Sequence, residues 1–376
     1  MAKIVFSGYF GFNNAGDEAI LFAMLRAWRQ LKPEAELIVL SRDPEKTAKQ
    51  YAAWEVKAVN RWRIVEVLKT LASADLLISG GGSLLQDVTS NNSPLYYLGI
   101  IFLANLLDVP VMVYAQGVGP LRKKRNRRLS AWLLNKAALI TVRDQESAAD
   151  LKEMGVKGEI IVTADPVLSL KKTDFPPKVG AEILKRYHLE PDQEGKLLGV
   201  YLRPWGKNSY LPALAEALGE MHQQGWQIVL IPMQFPGDIA IAREISRLLG
   251  NENLTLLREN YTVGELLALI GNLDLVLGMR LHALIMAAVM GVPMVGLAYD
   301  PKIDRFLRQS GQIPLLSVNN LEAQALVEVL TWVVERKEEI KSEIEKRTAE
   351  MYQRAWRTAR LALELLENTA SEEEER

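Results

Sequence analysis

A chain of 376 residues is longer than one average domain, so two domains are expected. Its 49% hydrophobic and 24% charged residues suit a folded protein with a sizeable core, and a formal net charge of −1 excludes a bulk electrostatic footprint for nucleic acid. The absence of cysteine removes disulfides, thiolate metal sites and cysteine nucleophiles together, which suits a cytoplasmic protein.

Met1 to Phe6 leads at once into a strand over 3–7, so no signal peptide is expected. The turn Gly8-Tyr9-Phe10-Gly11-Phe12-Asn13-Asn14-Ala15-Gly16-Asp17 follows. Apolar residues at Ile20, Leu21, Met24, Leu25 and Trp28 then predict a helix over 17–30. Glycines after a first strand let the backbone approach a ligand, and the helix offers its positive N-terminus. The spacing is not that of a dinucleotide fingerprint or a P-loop, and Asn14 with Asp17 also fits a plain helix cap.

Strands are predicted over 36–40 and 74–79. The second of these ends in Gly80-Gly81-Gly82-Ser83-Leu84-Leu85-Gln86-Asp87. Such a loop suits either an N–H cradle for phosphate or carboxylate, or tight strand-to-helix packing. The apolar run 95–107 is shorter than the ~20 residues a spanning helix needs. It reads as a core helix or as a face that meets a membrane surface. A strand over 110–115 ends in Gln116-Gly117-Val118-Gly119-Pro120, the third glycine-rich strand end in this half. The basic cluster Arg122-Lys123-Lys124-Arg125-Asn126-Arg127-Arg128 is a solvated loop and helix start, or a contact for diphosphate or anionic lipid. A strand over 139–142 stops at Arg143.

The charged, proline-broken segment Lys171 to Lys178 reads as a linker. A second series follows, with a strand over 198–203 ending at Arg203 and a helix over 210–223. Further strands are predicted over 226–232, 272–278 and 293–297. The fourth strand of this series runs 293–297, with Lys302 beyond it. The strand before it ends in Gly278-Met279-Arg280-Leu281-His282, which delivers a cation and a titratable group to the start of a helix over 281–290. There the helix dipole and Arg280 disfavour a charged imidazole, whereas a bound dianion favours it. His282 can then take up a proton as an anionic substrate binds and donate it. Guanidinium groups at several strand ends suit a substrate with both phosphate and carboxylate. His188 and His222 lie in charged helical surroundings and are expected to be solvated. No paired His, HExxH or Asp-rich constellation calls for a metal.

Alternating strands and helices imply mostly parallel sheets. The two halves echo each other at 75–81 and 274–280, and again at 108–113 and 291–296. The fold class expected is therefore α/β, with two Rossmann-like domains facing across a cleft and C-terminal helices. The expected divisions are 1–172, 179–330, helices over 331–370 that pack back, and a disordered acidic tail over 371–376.

In this order, the blocks 8–19, 80–87, 116–120, Arg143-Asp144 and Met279-Arg280-Leu281-His282 resemble those of polysaccharide pyruvyl transferases, closely the CsaB type of bacterial cell-wall enzymes. The resemblance runs from the first strand to about residue 330. It implies a GT-B-like fold with an N-terminal acceptor side and a C-terminal donor side, and phosphoenolpyruvate as donor without a cofactor. The implied acceptor is a ManNAc residue of a lipid-linked ManNAc-GlcNAc intermediate, which receives a 4,6-ketal that anchors S-layer-homology domains.

On this reading His282 is the catalytic acid, and Arg143 and Arg280 hold the donor, with Arg203 and Lys302 as further candidates. Asn14, Gly16, Asp17, Gly81, Gly82 and Gln116 shape the acceptor side. A cytoplasmic protein working at the inner face of the membrane follows from a lipid-linked acceptor. Two alternatives share the architecture: a GT-B glycosyltransferase using a nucleotide sugar, and a non-catalytic anion- or glycan-binding protein.

Overall fold

The computed structural model describes residues 1–87, 93–189, 196–250, 254–312 and 316–374. The chain divides into two compact units. Met1–Phe12, Asp17–Ser169 and Met351–Arg376 form the first; Asn13–Gly16 and Leu170–Glu350 form the second.

In chain order the first unit takes in β1 (Lys3–Ser7), α1 (Ala15–Leu31, whose first residues cluster with the second unit), β2 (Glu36–Ser41), α2 (Pro44–Gln50), β3 (Lys57–Asn60), α3 (Ile64–Leu71) and β4 (Leu76–Gly80). It continues through α4 (Ser93–Leu106), β5 (Val111–Gln116), α5 (Lys124–Leu134), β6 (Leu139–Val142), α6 (Gln145–Met154) and β7 (Ile161–Val162). The strands pair in parallel in the order β3-β2-β1-β4-β5-β6-β7. They read as unbroken apolar runs because helices cover both faces: Ile4, Val5, Phe6, Leu76, Leu77 and Ile78 are fully buried. The order reverses between β1 and β4, the switch point where such sheets take ligands.

The second unit contains α7 (Pro177–Lys185), β8 (Leu197–Tyr201), α8 (Leu211–Gln223), β9 (Gln227–Leu230), α9 (Gly237–Leu249), β10 (Thr255–Leu256) and α10 (Val263–Ile270). Beyond them come β11 (Leu275–Gly278), α11 (Leu281–Met290), β12 (Met294–Ala298), α12 (Pro301–Gln309), β13 (Leu316–Ser317) and α13 (Ala323–Glu335). Its sheet is parallel in the order β10-β9-β8-β11-β12-β13 and switches between β8 and β11. Side chains cap several helices, including a capping box of Thr262 with Glu265 at α10 and Asp300 accepting from Lys302 N at α12. The left-handed Gly291 (φ 70°) ends α11.

The last helix, α14 (Lys337–Glu374), buries Ile344, Met351, Ala355, Ala359, Ala362 and Leu366 at helical spacing. It runs through Glu374, so helix persists into the acidic tail where composition predicts none. Ser371 Oγ donates to Glu367 O at 3.0 Å. Glutamate is a good helix former, and extending an existing helix avoids the cost of a nucleus. Residues 375–376 of that expected tail lie outside the described residues. Among the described residues no helix is long and apolar enough to cross a membrane.

Candidate active site

Three strands of the second sheet lead toward the residues singled out by sequence, Arg203, Arg280, His282 and Lys302. Strand β8 runs into Arg203, β11 into Arg280 and His282, and β12 into Tyr299 and then Lys302. These strands are neighbours and parallel, so their C-terminal ends collect on one edge, at the switch point.

Arg280 caps α11, and its guanidinium turns toward α9. Nε donates to Asp238 Oδ2 at 3.1 Å, while Nη2 reaches Asp238 Oδ1 and lies 3.4 Å from Gln234 Oε1. Asp238, buried in the first turn of α9, also accepts from Met233 N at 3.1 Å and Gln234 N at 2.9 Å. One buried carboxylate thus fixes the plane of the guanidinium. Nη1 has no protein partner among the described residues, so one edge of the fork is left to meet an anion.

His282 lies in the first turn of α11, and Gly16 packs against its ring. A Cβ on Gly16 would stand 2.4 Å from His282 Nδ1 and 2.8 Å from Cγ, so no larger residue fits without moving the imidazole. Asn14 Oδ1 accepts from Gly16 N at 3.1 Å, which makes Asn14 the cap of α1. Ala15 N donates to Met233 O at 2.7 Å, Phe235 N donates to Asn13 O at 3.0 Å, and Asn14 bridges Gln234 in antiparallel fashion. The loop 233–238 therefore holds the plane of Arg280 and also the turn that backs His282.

Arg203 and Lys302 meet on Tyr299. Arg203 Nη1 donates to Tyr299 OH at 2.6 Å, with its guanidinium carbon 4.5 Å from the ring centroid. Lys302 Nζ is 5.7 Å from the same centroid and 3.5 Å from Asp300 Oδ2. Trp205 packs 4.7 Å from Tyr299, centroid to centroid, and Tyr210 OH donates to Arg203 O at 2.7 Å.

In the first unit the glycine-rich strand ends clamp one another. Gln116 Nε2 donates to Gly82 O and Gly117 O, both at 2.8 Å, and Gly117 N donates to Gly82 O at 3.0 Å. Gly81 (φ 86°) packs so closely on α1 that a Cβ would meet Ile20 Cγ2 at 2.3 Å; one on Gly82 would stand 3.0 Å from Asp17 Oδ1. Arg143 is buried over Gly117. Its Nη1 donates to Asp165 Oδ2 at 3.0 Å and its Nη2 to Ser83 Oγ at 2.9 Å, with Asp144 Oδ2 3.7 Å from Nε. Asn14, Gly16, Arg203, Arg280, His282 and Lys302 lie in the second unit, in two groups: Asn14 and Gly16 with Arg280 and His282 around the 233–238 loop, and Arg203 with Lys302 on Tyr299. Asp17, Gly81, Gly82, Gln116 and Arg143 belong to the first.

The first turn has its own frame. Glu18 Oε1 accepts from Gly11 N at 2.8 Å; burial pushes this carboxyl up to about 7, against the opposing pull of the Gly11 and Phe12 amides. Tyr9 and Phe12 stack at 3.9 Å. The buried Arg61 donates from Nη1 to Gly8 O at 2.8 Å and sits 4.0 Å from the Tyr96 centroid.

Sequence reasoning missed Gln234, Asp238, Tyr299, Asp165, Glu18 and Arg61. Tyr299 lies just beyond a strand end, a position where a polar residue can be flagged, and Asp238 is an acidic residue in a first helical turn; nothing local marks Glu18 or Arg61. His188 is exposed, but His222 is half-buried, with Nδ1 3.2 Å from Trp226 O, rather than solvated. Among the described residues no group of three or more His, Cys, Asp or Glu is placed to hold a metal ion.

The chain is 21% identical over 291 residues to the amylovoran biosynthesis protein AmsJ of Erwinia amylovora, covering 73% of this chain and 69% of that one. Among solved structures it resembles HepE of Anabaena in complex with UDP-glucose (TM-score 0.66, 15% identity, 98% of this chain and 100% of that one). A glycosyltransferase of Rickettsia africae gives a TM-score of 0.68 at 11% identity, covering 98% of each chain. At such identities these structures speak for the fold alone, which is α/β and GT-B-like. The profile described as polysaccharide pyruvyl transferase matches residues 14–301, most of the chain and all of the Arg280 and His282 cluster. The chain belongs to the polysaccharide pyruvyl transferase family.

Proposed function

We propose that this protein transfers the pyruvyl group of phosphoenolpyruvate, as a ketal, onto a sugar of a lipid-linked polysaccharide precursor. The observation that carries the reading is Arg280, oriented by Asp238 and Gln234, two residues before an imidazole at a helix N-terminus. A cation with an open edge and a proton donor beside it suit an anion that must be protonated on carbon.

In the proposed reaction His282 donates a proton to the methylene carbon of the donor, making C2 electrophilic. One sugar hydroxyl adds to C2 and gives its proton to the His282 imidazole, just deprotonated. A second hydroxyl of the same sugar then displaces the phosphate: the C2–O bond to phosphate breaks, inorganic phosphate leaves with the proton of that hydroxyl, and the ketal ring closes. Arg280 binds the phosphate or the carboxylate throughout, and Arg203 and Lys302, gathered on Tyr299, serve the other anionic group. Asn14 and Gly16 keep the imidazole in place. Asp17, Gly81, Gly82 and Gln116 are proposed for the acceptor. Arg143, which the resemblance of the motifs puts on the donor, has Nη1 and Nη2 on Asp165 and Ser83 and is assigned to holding the glycine loop. A ManNAc acceptor, the 4,6 linkage and anchoring of S-layer-homology domains are the finer form of the proposal and rest on the resemblance of the motifs.

The test is phosphate release from phosphoenolpyruvate with and without a ManNAc-GlcNAc-diphospho-lipid analogue, followed by mass analysis of the acceptor. Acceptor-dependent release with a ketal-sized mass gain supports the proposal. No release with a verified acceptor overturns it, and UDP-sugar turnover would point to glycosyl transfer instead.

A further inference from the structure

Helices α3, α4 and α5 lie side by side on one face of the first sheet. Helices in this position normally turn a polar side outward. Helix α4 has no charged residue over its 14 positions, and its outer side carries Phe102 (43% exposed) and Leu106 (66% exposed). A Cβ on Gly99, about one turn before Phe102, would meet nothing within 4 Å, so the helix stands open there.

The apolar surface continues onto both neighbours. Trp62, 62% exposed just ahead of α3, lies 5.2 Å from Tyr96 on α4, with Ile64 and Val65 exposed beside it. Trp132 on α5 is exposed and lies 6.2 Å from Phe102, ring to ring. A contiguous exposed apolar area of this kind marks an interaction surface.

The charge on its border identifies the partner. Helix α5 contains no acidic residue; Lys124, Arg125 and Arg128 on it are exposed, and Lys136 Nζ sits 4.7 Å from the Trp132 centroid. Of the acidic residues nearby, Glu66 is paired with Arg63 and Glu153 with Arg127 of α5, both at 2.9 Å, and Asp108 follows the far end of α4, which leaves Lys124, Arg125 and Arg128 as the exposed cations. Exposed tryptophans and aliphatics bordered by unopposed lysine and arginine suit the headgroup zone of an anionic bilayer. At ~1.5 Å per residue, the 14 residues of α4 span roughly 21 Å, less than the ~30 Å of a hydrocarbon core. A helix of this length cannot cross the bilayer, so any contact it makes with lipid is at the surface.

We propose that the α3–α4–α5 face docks this protein onto the surface of an anionic lipid bilayer, with Trp62, Phe102, Leu106 and Trp132 inserted among the headgroups and the α5 cations on lipid phosphates. This holds whatever the sugar acceptor is. The full-length chain should cosediment with vesicles of phosphatidylglycerol and phosphatidylcholine, weakly with phosphatidylcholine alone, and less as salt is raised. Replacing Lys124, Arg125 and Arg128 together by Glu should lower vesicle affinity on the order of a hundredfold or more. Phe102→Ser with Leu106→Ser should abolish binding as well. All five positions are on the surface, so circular dichroism and the melting temperature should be unchanged. Brominated lipid should quench tryptophan emission in the wild type and do so less in Trp132→Phe.

Failure to bind either vesicle, or equal binding to both that ignores the α5 charges, overturns the proposal. So does a solution dimer that the Phe102→Ser, Leu106→Ser variant dissociates, because the face would then belong to a second copy of the chain.

Discussion

Arg280 and Arg143 both follow a buried parallel strand, yet they are used in opposite ways. Arg280 puts Nε and Nη2 on one carboxylate, which two backbone amides also hold, and keeps an edge open. Arg143 spreads its nitrogens over Asp165, Ser83 and Asp144, two of them carboxylates buried to within a few per cent of complete. In the second unit an anion orients a cation; in the first a cation makes two buried anions tolerable. A strand end predicts that an arginine will be near a site, whereas its partners decide whether it serves a ligand or the fold.

Arg143→Ala gives the largest expected effect on the fold. It leaves Asp165 and Asp144 buried without their cation, so a loss of ~3–5 kcal/mol is expected in urea unfolding. Arg143→Lys should recover part of it, since one ammonium cannot reproduce the fork to Asp165 and Ser83. An unchanged midpoint in Arg143→Ala would break the comparison.

Glu18 tests the frame of the first turn. Its carboxyl rises from 4.5 to about 7 through burial, so the folded state binds the proton more tightly than the unfolded one. Stability therefore falls as pH rises from about 4.5 to about 7, and the full penalty, on the order of 3 kcal/mol, is present above that window. Glu18→Gln should stabilise the protein at pH ~8 and leave it nearly unchanged near pH ~4, a difference that paired urea titrations read directly. A parallel pH dependence in both proteins would rule Glu18 out as its source.

Arg280→Ala should raise the KM for the proposed donor by about ten- to a hundredfold, the worth of one charge-assisted contact. Its melting temperature should drop less than that of Arg143→Ala, because Asp238 keeps the Met233 and Gln234 amides. Gly16→Ala should have the smallest effect: a fall in kcat of about tenfold as the new methyl displaces the imidazole. Stability should hold, since alanine suits a first helical turn. A loss of stability with kcat intact would make the Gly16 contact a packing feature only.

Much of the architecture was legible because buried parallel strands are apolar throughout; the helix expected over 281–290 is α11 as built. Strands β3, β7, β10 and β13 escaped notice because edge strands of two to four residues carry too little pattern. At the candidate site, the places of Arg280 and His282 were legible from their adjacency to a strand end. Asp238 and Gln234 did not, because their roles come from a loop some forty residues earlier folding back onto Arg280. The placement of Asn14 and Gly16 against that loop is likewise a matter of long-range pairing, which no local spacing encodes.

The central claim is that His282 supplies the proton and Arg280 the hold on the donor. The most direct measurement sets kcat beside the phosphoenolpyruvate Kd from calorimetry in wild type and His282→Ala. The account predicts a loss of about 10²–10⁴ in kcat, with Kd changed by no more than a few-fold. Equal losses in both, or a kcat that survives, would contradict it.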